Sequence, residues 1–493
     1  MNTMQTRRQF LGTAAAAGFA RGLDGKGPNI LVILTDQQRA SMLSCAGNSY
    51  VKTPNLDSLA QTGVRFERAY VANPVCSPSR MSLMTGRMPS SIGMECNEDL
   101  ARPVTVPAAM LRSSLGVTFR DAGYETVYGG KVHLPKGEGA ARELDGFGFE
   151  MSTKDERGGL AETCAGFLRE KHQRPFCMVA SFINPHDICY MAINAFAKAK
   201  GSKAPNAKQA VEYLTNALHT PEAISEDEFF RRYCPPLPAN LEPAKNELSA
   251  LMIDKREFQR YVRQNWTDRD WRMHRWAYAR LTEQVDREIG VVLQALRESG
   301  EENNTLVVMT ADHGDQDASH RLEHKEVLYE EATRVPFIVS WKGVTKAGAV
   351  DRDHLVSNGL DLTPTLCDFA GIKTPASLRG RSVRTLAEGK SVSQWRDSVV
   401  VESHLTRLVR WGRWKYMAGR NAKHGNTCGI CPGRIKDWDA RVREMLIDLE
   451  SDPGELVNLA AERRYRPQLE EGRRMLAQWH RENDVALDPG YAV

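Results

Sequence analysis

Asn29-Ile30-Leu31-Val32-Ile33-Leu34-Thr35 is an unbroken apolar run of strand length, and it stops at Asp36-Gln37. A strand with one face in water alternates apolar and polar residues. A run without alternation belongs to a strand covered on both faces, as in a parallel sheet flanked by helices. The same design returns downstream, where Thr305-Leu306-Val307-Val308-Met309-Thr310 runs into Ala311-Asp312-His313-Gly314. Two further runs end in basic residues. Glu125-Thr126-Val127-Tyr128-Gly129-Gly130 leads to Lys131-Val132-His133, and Phe176-Cys177-Met178-Val179-Ala180-Ser181-Phe182 leads to Asn184-Pro185-His186-Asp187. From about Pro28 to Ala370 such runs alternate with helical stretches such as Thr282 to Glu298. That alternation predicts an α/β/α sandwich around a large, mostly parallel central sheet. Open sheets of this kind bind ligands at the carboxyl ends of their strands, so the polar residues that close these four runs are expected to share one site.

Asp36, Gln37, Asp312 and His313 offer two carboxylates, an amide oxygen and an imidazole. This mainly hard donor set suits Ca2+, Mg2+ or Mn2+ better than a thiolate-seeking metal. One aspartate at a strand end is more often a cap or a turn residue; two matched strand ends point to a metal.

Cys76-Ser77-Pro78-Ser79-Arg80 precedes Met81-Ser82-Leu83-Met84 and Thr85-Gly86. Ser77 is expected as an N-cap, with Pro78 in the first turn of a short helix. Cys76 then sits against a helix N-terminus, whose unpaired N–H groups suit an anion and acidify a thiol. Taken alone, the stretch equally fits a buried structural cysteine.

The order of these stretches resembles the formylglycine-dependent type I sulfatases of the alkaline phosphatase superfamily: Cys76-x-Pro78-x-Arg80, Gly130-Lys131-x-His133, Pro185-His186, and Lys325 ahead of Tyr329-Glu330. The resemblance implies that a formylglycine-generating enzyme oxidises Cys76 to 3-oxoalanine, whose gem-diol attacks sulfur. It also implies that Arg80 and Lys131 hold the hydrate and the sulfate charge, that His133 takes a proton from the second hydroxyl, and that His186 and Lys325 support the departing oxygen. One Ca2+ would sit among Asp36, Gln37, Asp312 and His313. The family commonly carries a second aspartate where this chain has Gln37, so the site has one formal charge fewer.

At 493 residues and 41% hydrophobic, the chain has material for two or three domains. Its net charge of +4, from 66 basic and 62 acidic residues, gives no sign of a nucleic-acid binder. Thr6-Arg7-Arg8-Gln9-Phe10-Leu11-Gly12 and the alanine-rich stretch after it read as a twin-arginine export signal over 1–23. That signal implies passage through the twin-arginine translocase to a periplasmic or secreted location. No run reaches the ~20 apolar residues of a membrane span, so no stable membrane insertion is expected. Ten cysteines are irregularly spaced, and only Cys428-x-x-Cys431 forms a motif, read as a local disulfide or two free thiols.

A catalytic domain is expected over 24–374. Within it, 190–271 reads as a family-specific insertion, either walling the substrate pocket or lying inert on the surface. Residues 375–493 form the expected C-terminal subdomain, which the resemblance gives a short antiparallel sheet and a helix. Trp411, Arg413 and Trp414 would pack there, and Arg407 or His404 could reach a sugar. The function expected is an exported sulfatase acting on sulfated carbohydrates. A formylglycine-dependent phosphonate monoester or phosphodiester hydrolase and an inactive sulfated-glycan binder are the rival readings.

Overall fold

The computed structural model describes residues 27–94, 96–97, 104–203, 207–253, 256–419 and 442–483. The strands among them are β1 (Asn29–Asp36), β2 (Val64–Phe66), β3 (Ala69–Tyr70), β4 (Glu125–Gly130), β5 (Glu150–Thr153), β6 (Phe176–Pro185), β7 (Thr305–Ala311), β8 (Phe337–Ser340), β9 (Ala349–Asp351), β10 (Val356–Ser357), β11 (Ser398–Glu402), β12 (Thr406–Trp411), β13 (Trp414–Gly419) and β14 (Glu444–Asp448). The export-signal residues and the Cys428/Cys431 pair lie outside the described residues.

Eight strands form the central sheet in the order β5-β4-β6-β1-β7-β8-β2-β9. All pair in parallel except β8, which runs against both its neighbours. The four apolar runs are thus four adjacent strands, and their carboxyl ends share one edge. β1 explains why its sequence does not alternate. Ile30, Val32 and Leu34 feed one core with the helices Cys76–Thr85 and Asn358–Ala370. Leu31 and Ile33 feed the other, with the helices Pro54–Thr62, Leu160–Arg169 and Asp268–Glu298. Successive side chains point to opposite faces, and here each face is dry.

The helix expected from Thr282 begins at Asp268 and runs 31 residues to Glu298. Thr267 starts it with a capping box: its hydroxyl accepts from Asp270 N, and the Asp270 carboxylate accepts from Thr267 N at 2.8 Å. The tryptophan-rich end of the 190–271 segment is therefore the first turns of a helix that covers the sheet. Among its described residues the segment also carries the helices Lys208–Leu218, Glu226–Arg232 and Glu257–Asn265, the last packed on Cys189–Ala199.

β11-β12-β13-β14 form a separate antiparallel sheet, with the helix Arg466–Glu482 against it. Trp411 and Trp414 pack in that small core, and Arg413 pairs with Asp448. Arg407 and His404 are buried, and Arg407 donates to the carbonyls of Ser403 and Thr406. Lys415, fully buried on β13, joins this sheet to the larger domain through Glu330 at 3.2 Å and also pairs with Glu455, beyond β14, at 2.7 Å.

Candidate active site

The helix Cys76–Thr85 follows Val75, an extended N-cap whose carbonyl accepts from Ser79 N at 3.0 Å. Ser77 is inside the first turn rather than the cap. Its hydroxyl goes to the carbonyl of His133 at 2.7 Å and its N–H to Asn97 Oδ1 at 2.9 Å, so tertiary partners claimed the groups that a local cap would use. Pro78 falls in the same turn, where a missing N–H costs no helical bond. Gly86 closes the helix at φ +65°, a left-handed position suited to glycine.

This places Cys76 against the ends of β1 and β7. Its Sγ is 3.2 Å from His313 Nε2, 2.9 Å from Lys325 Nζ, 3.8 Å from Asp36 Oδ1 and 3.9 Å from Lys131 Nζ. Asp36, Cys76, Asp312 and His313 are all buried, and one ligand atom of each lies within 4.8 Å of the others. Burial and Asp36 push the thiol up, but Lys131, Lys325 and His313 outweigh them and hold it well below its ordinary range.

Arg80 organises the two carboxylates. Its Nε donates to Asp312 Oδ2 at 2.8 Å, Nη2 to Asp36 Oδ2 at 3.0 Å, and Nη1 to both Lys131 O and Ser181 Oγ at 2.8 Å. Lys131 Nζ adds a contact of 2.5 Å to Asp36 Oδ2. With both Oδ2 atoms taken by cations, the Oδ1 atoms are the ones near His313 Nε2, at 3.6 Å for Asp36 and 3.5 Å for Asp312. Burial raises Asp36, yet Lys131, Lys325, His186 and Arg80 bring it well below the usual carboxylate range. Burial and the neighbouring Asp36 push Asp312 up to about 6. Ser79 Oγ donates to Asp312 O and fixes that strand end to the helix.

Lys131 reaches the cluster because Gly130, at φ +91°, turns the chain where a Cβ would collide with Ser181 O. His133 lies just beyond, and its carbonyl holds Ser77. His186 opens a short turn after β6; burial first, then Lys131 and Lys325, hold it well below its ordinary value, so the imidazole is neutral. Lys325 donates to Gln37 Oε1 at 3.0 Å as well as to Cys76. Burial would lower Lys325, but Cys76 and Asp36 raise it, so it stays an ammonium.

All ten residues named from the sequence therefore lie at this strand-end edge, in the loops leading from it or on the helix Cys76–Thr85 that packs against it, and side-chain contacts join eight of them. His133 enters through its backbone, and His186 through charge. The sequence reading passed over Asp315, Cys189, Ser181 and His324. Asp315 accepts from Gln37 Nε2 at 2.6 Å, and Cys189 Sγ lies 3.2 Å from Gln37 Oε1 and 2.9 Å from His324 Nδ1. Asp315 stood in the open, three positions after Asp312; nothing in the sequence around Cys189 marked it. From the 190–271 segment, Arg256 pairs with Glu326 at 3.3 Å, and the Phe258 ring meets His324 edge-on at 6.1 Å.

The donor chemistry fits a hard divalent ion: two carboxylates and an imidazole converge, and the adjoining amide carries its own oxygen toward Lys325. Three buried cations, Arg80, Lys131 and Lys325, face two carboxylates, one of them easily protonated. Such a pocket accepts a dianion or a monoester anion more readily than a neutral substrate.

Residues 28–372 match the family model described as Sulfatase. The chain is 30% identical over 470 residues to the Delta 4,5-hexuronate-2-O-sulfatase of Bacteroides thetaiotaomicron, an alignment that takes in 91% of this chain and 88% of that protein. A solved 2-O glycosaminoglycan sulfatase superposes with a TM-score of 0.75 at 28% identity, covering 93% of each chain. The phosphonate monoester hydrolase of Agrobacterium radiobacter shares the fold, with a TM-score of 0.68 at 21% identity over 92% of this chain and 96% of that one.

Proposed function

The chain belongs to the sulfatase family, and from that premise we propose that this sulfuric ester hydrolase removes sulfate from sulfated carbohydrates, using formylglycine formed from Cys76. The observation that carries the reading is the setting of Cys76: a helix N-terminus, two ammonium groups and an Asp-Asp-His cluster meet at one sulfur atom. Relatives that act on hexuronate 2-O-sulfate and on N-acetylglucosamine 6-O-sulfate support a carbohydrate substrate.

Oxidation of Cys76 would supply a gem-diol, one hydroxyl serving as nucleophile and the other allowing sulfate to be expelled without water attacking sulfur. A divalent ion, hard by the chemistry of the donors and Ca2+ by the family resemblance, would be held by Asp36, Gln37, Asp312 and His313, and would supply Lewis-acid polarisation of a sulfate oxygen. Every other task falls to groups already in place. Arg80 has four of its five N–H donors engaged by protein acceptors, so its main work is to aim the two carboxylates. Lys131 and Lys325, both beside Cys76, neutralise charge that builds on the sulfate oxygens. Lys325 remains protonated and stabilises the departing alkoxide. Neutral His186 donates a hydrogen bond to it, and His133 accepts the proton released at position 76. The segment 190–271, touching the site through Arg256 and Phe258, walls the pocket and selects the sugar.

The N-terminal twin-arginine pattern supports export of the folded, matured enzyme to the periplasm or beyond, with 24–374 as catalytic domain and 375–493 as C-terminal subdomain.

The test is peptide mass spectrometry across residue 76, on protein co-expressed with a formylglycine-generating enzyme, with sulfate release measured on a panel of sulfated oligosaccharides. Conversion with release from one of them supports the reading. Full conversion with a far higher rate on aryl phosphodiesters would transfer the assignment to a phosphodiesterase. Cys76→Ala should abolish turnover, and a variant keeping more than about a tenth of wild-type rate would remove covalent catalysis at this position.

A further inference from the structure

Asp315 is fully buried, carries no role in the chemistry above, and accepts three hydrogen bonds. Oδ2 receives Gln37 Nε2 at 2.6 Å and His324 N at 3.1 Å, and Oδ1 receives Asp317 N at 2.6 Å. On its other side, Gln37 Oε1 receives Lys325 Nζ at 3.0 Å and faces Cys189 Sγ at 3.2 Å. A carboxylate only accepts and an ammonium only donates, so these two neighbours permit one orientation of the amide. We propose that Asp315 is a positioning residue which forces Gln37 to present its oxygen, and never its NH2, toward the cluster of Asp36, Asp312 and His313. This rests on the metal-binding part of the proposed function.

A glutamine is a hazardous metal ligand because its two ends are alike in shape and opposite in charge. Rotated by half a turn, the Gln37 amide would point N–H groups at Lys325 and at any cation nearby. The buried carboxylate behind it removes that state. Asparagine cannot take its place: with oxygen toward Gln37 its NH2 opposes Asp317 N–H, and with oxygen toward Asp317 its NH2 opposes both Gln37 Nε2 and His324 N–H. Either way two donors meet, or Gln37 turns over.

The experiment is a double-mutant cycle read as calcium affinity, by calorimetry on full-length protein stripped with EDTA, alongside thermal melts in chelator. Asp315→Asn and Asp315→Ser should each weaken calcium binding by about 10–100-fold, the range seen when an outer partner of a metal ligand is lost. In a Gln37→Ala background the same changes should have no further effect, because the amide they act through is gone. A loss of equal size in both backgrounds would mean that Asp315 works through the His324-Lys325 loop instead, overturning the proposal. So would affinity within about twofold of wild type together with a lowered melting temperature, which marks a purely structural carboxylate. The serine variant serves if the asparagine variant does not fold. A wild-type protein that binds no calcium overturns this inference and the metal reading together.

Discussion

Replacing Arg80 by methionine removes one guanidinium, 1% exposed, that spans two buried carboxylates. Methionine fills most of the volume and leaves little cavity, so the effect is electrostatic. The neutral acceptors on Arg80 lose little: Lys131 O keeps the Tyr128 hydroxyl at 2.7 Å and the Ser181 hydroxyl at 2.8 Å. The charge is what goes. Asp36 retains Lys131, but Asp312 loses its direct cationic partner at Oδ2 and keeps, on Oδ1, only the Gln37 N–H at 3.1 Å and His313 Nε2 at 3.5 Å. Removing one member of a buried ion pair costs about 3–5 kcal/mol. For a chain of 493 residues the unfolding entropy is on the order of 1 kcal/mol per kelvin, which converts that cost to a fall of about 3–5 °C. The assay is differential scanning fluorimetry in EDTA at pH 8, where Asp312, raised to about 6, is ionised in the parent protein. Arg80→Lys should recover less than half of the loss, since one ammonium cannot make the two directed bonds of a guanidinium fork. A methionine variant melting within about 1 °C of wild type would refute the claim that Arg80 is what holds the carboxylates together.

Two other buried charges give independent checks. Glu288, largely buried on the helix Asp268–Glu298, is pushed up to about 7 by burial, with Asp187 and Asp155 adding to it. A raised carboxyl keeps its proton in the fold after the unfolded chain has lost it, so wild-type stability falls as pH rises from about 4.5 to 7 and stays reduced above. Glu288→Gln should therefore match wild type at pH 4 and exceed it by about 1–2 kcal/mol at pH 8, after discounting a partly exposed group for solvent screening. Urea melts at the two pH values decide it, and an equal gain at both would show that ionisation is not the cause. Lys415→Met takes the ammonium from between Glu330 and Glu455, leaving Glu330 the Tyr70 hydroxyl at 2.9 Å and Arg334 at 3.9 Å, and should cost about 3 kcal/mol, with earlier proteolytic release of the C-terminal sheet. A loss below about 1 kcal/mol would mean the seam is held by its apolar contacts alone.

The parts legible from the sequence were those written in contiguous residues. β1 and β7 announced themselves by apolar runs without alternation, and each ended in the polar residues that the sheet edge brings together. Local signals failed where a distant partner decided the outcome. Ser77 looked like a cap, but its hydroxyl belongs to His133, 56 positions away. The helix expected from Thr282 starts earlier because Trp271, His274 and Tyr278 continue the buried stripe of Leu281, Val285 and Ile289; arginines between them hid the period. Asp315 shows the limit most sharply, since its meaning depends on Gln37, 278 positions earlier.

The proposed pairing of Gln37 with Asp315 also bears on the charge deficit that the sequence posed. An amide where the family commonly has a second aspartate leaves the metal group one negative charge short, if only the ligating positions are counted. The structure places a carboxylate one hydrogen bond behind that amide, fully buried. In the proposed reading that carboxylate acts on a cation through the amide it orients, by polarising the Gln37 oxygen, so its influence goes when the amide goes. The exchange has a consequence for selectivity. A direct carboxylate offers two oxygens and tolerates several geometries, whereas an amide pinned between Asp315 and Lys325 offers one oxygen in one direction. In the proposed reading the exchange puts an amide oxygen 3.0 Å from Lys325 Nζ where a carboxylate would bind it more strongly, and with Asp36 Oδ1 set back to 3.8 Å the ammonium keeps more of its charge for the anionic oxygens of a substrate.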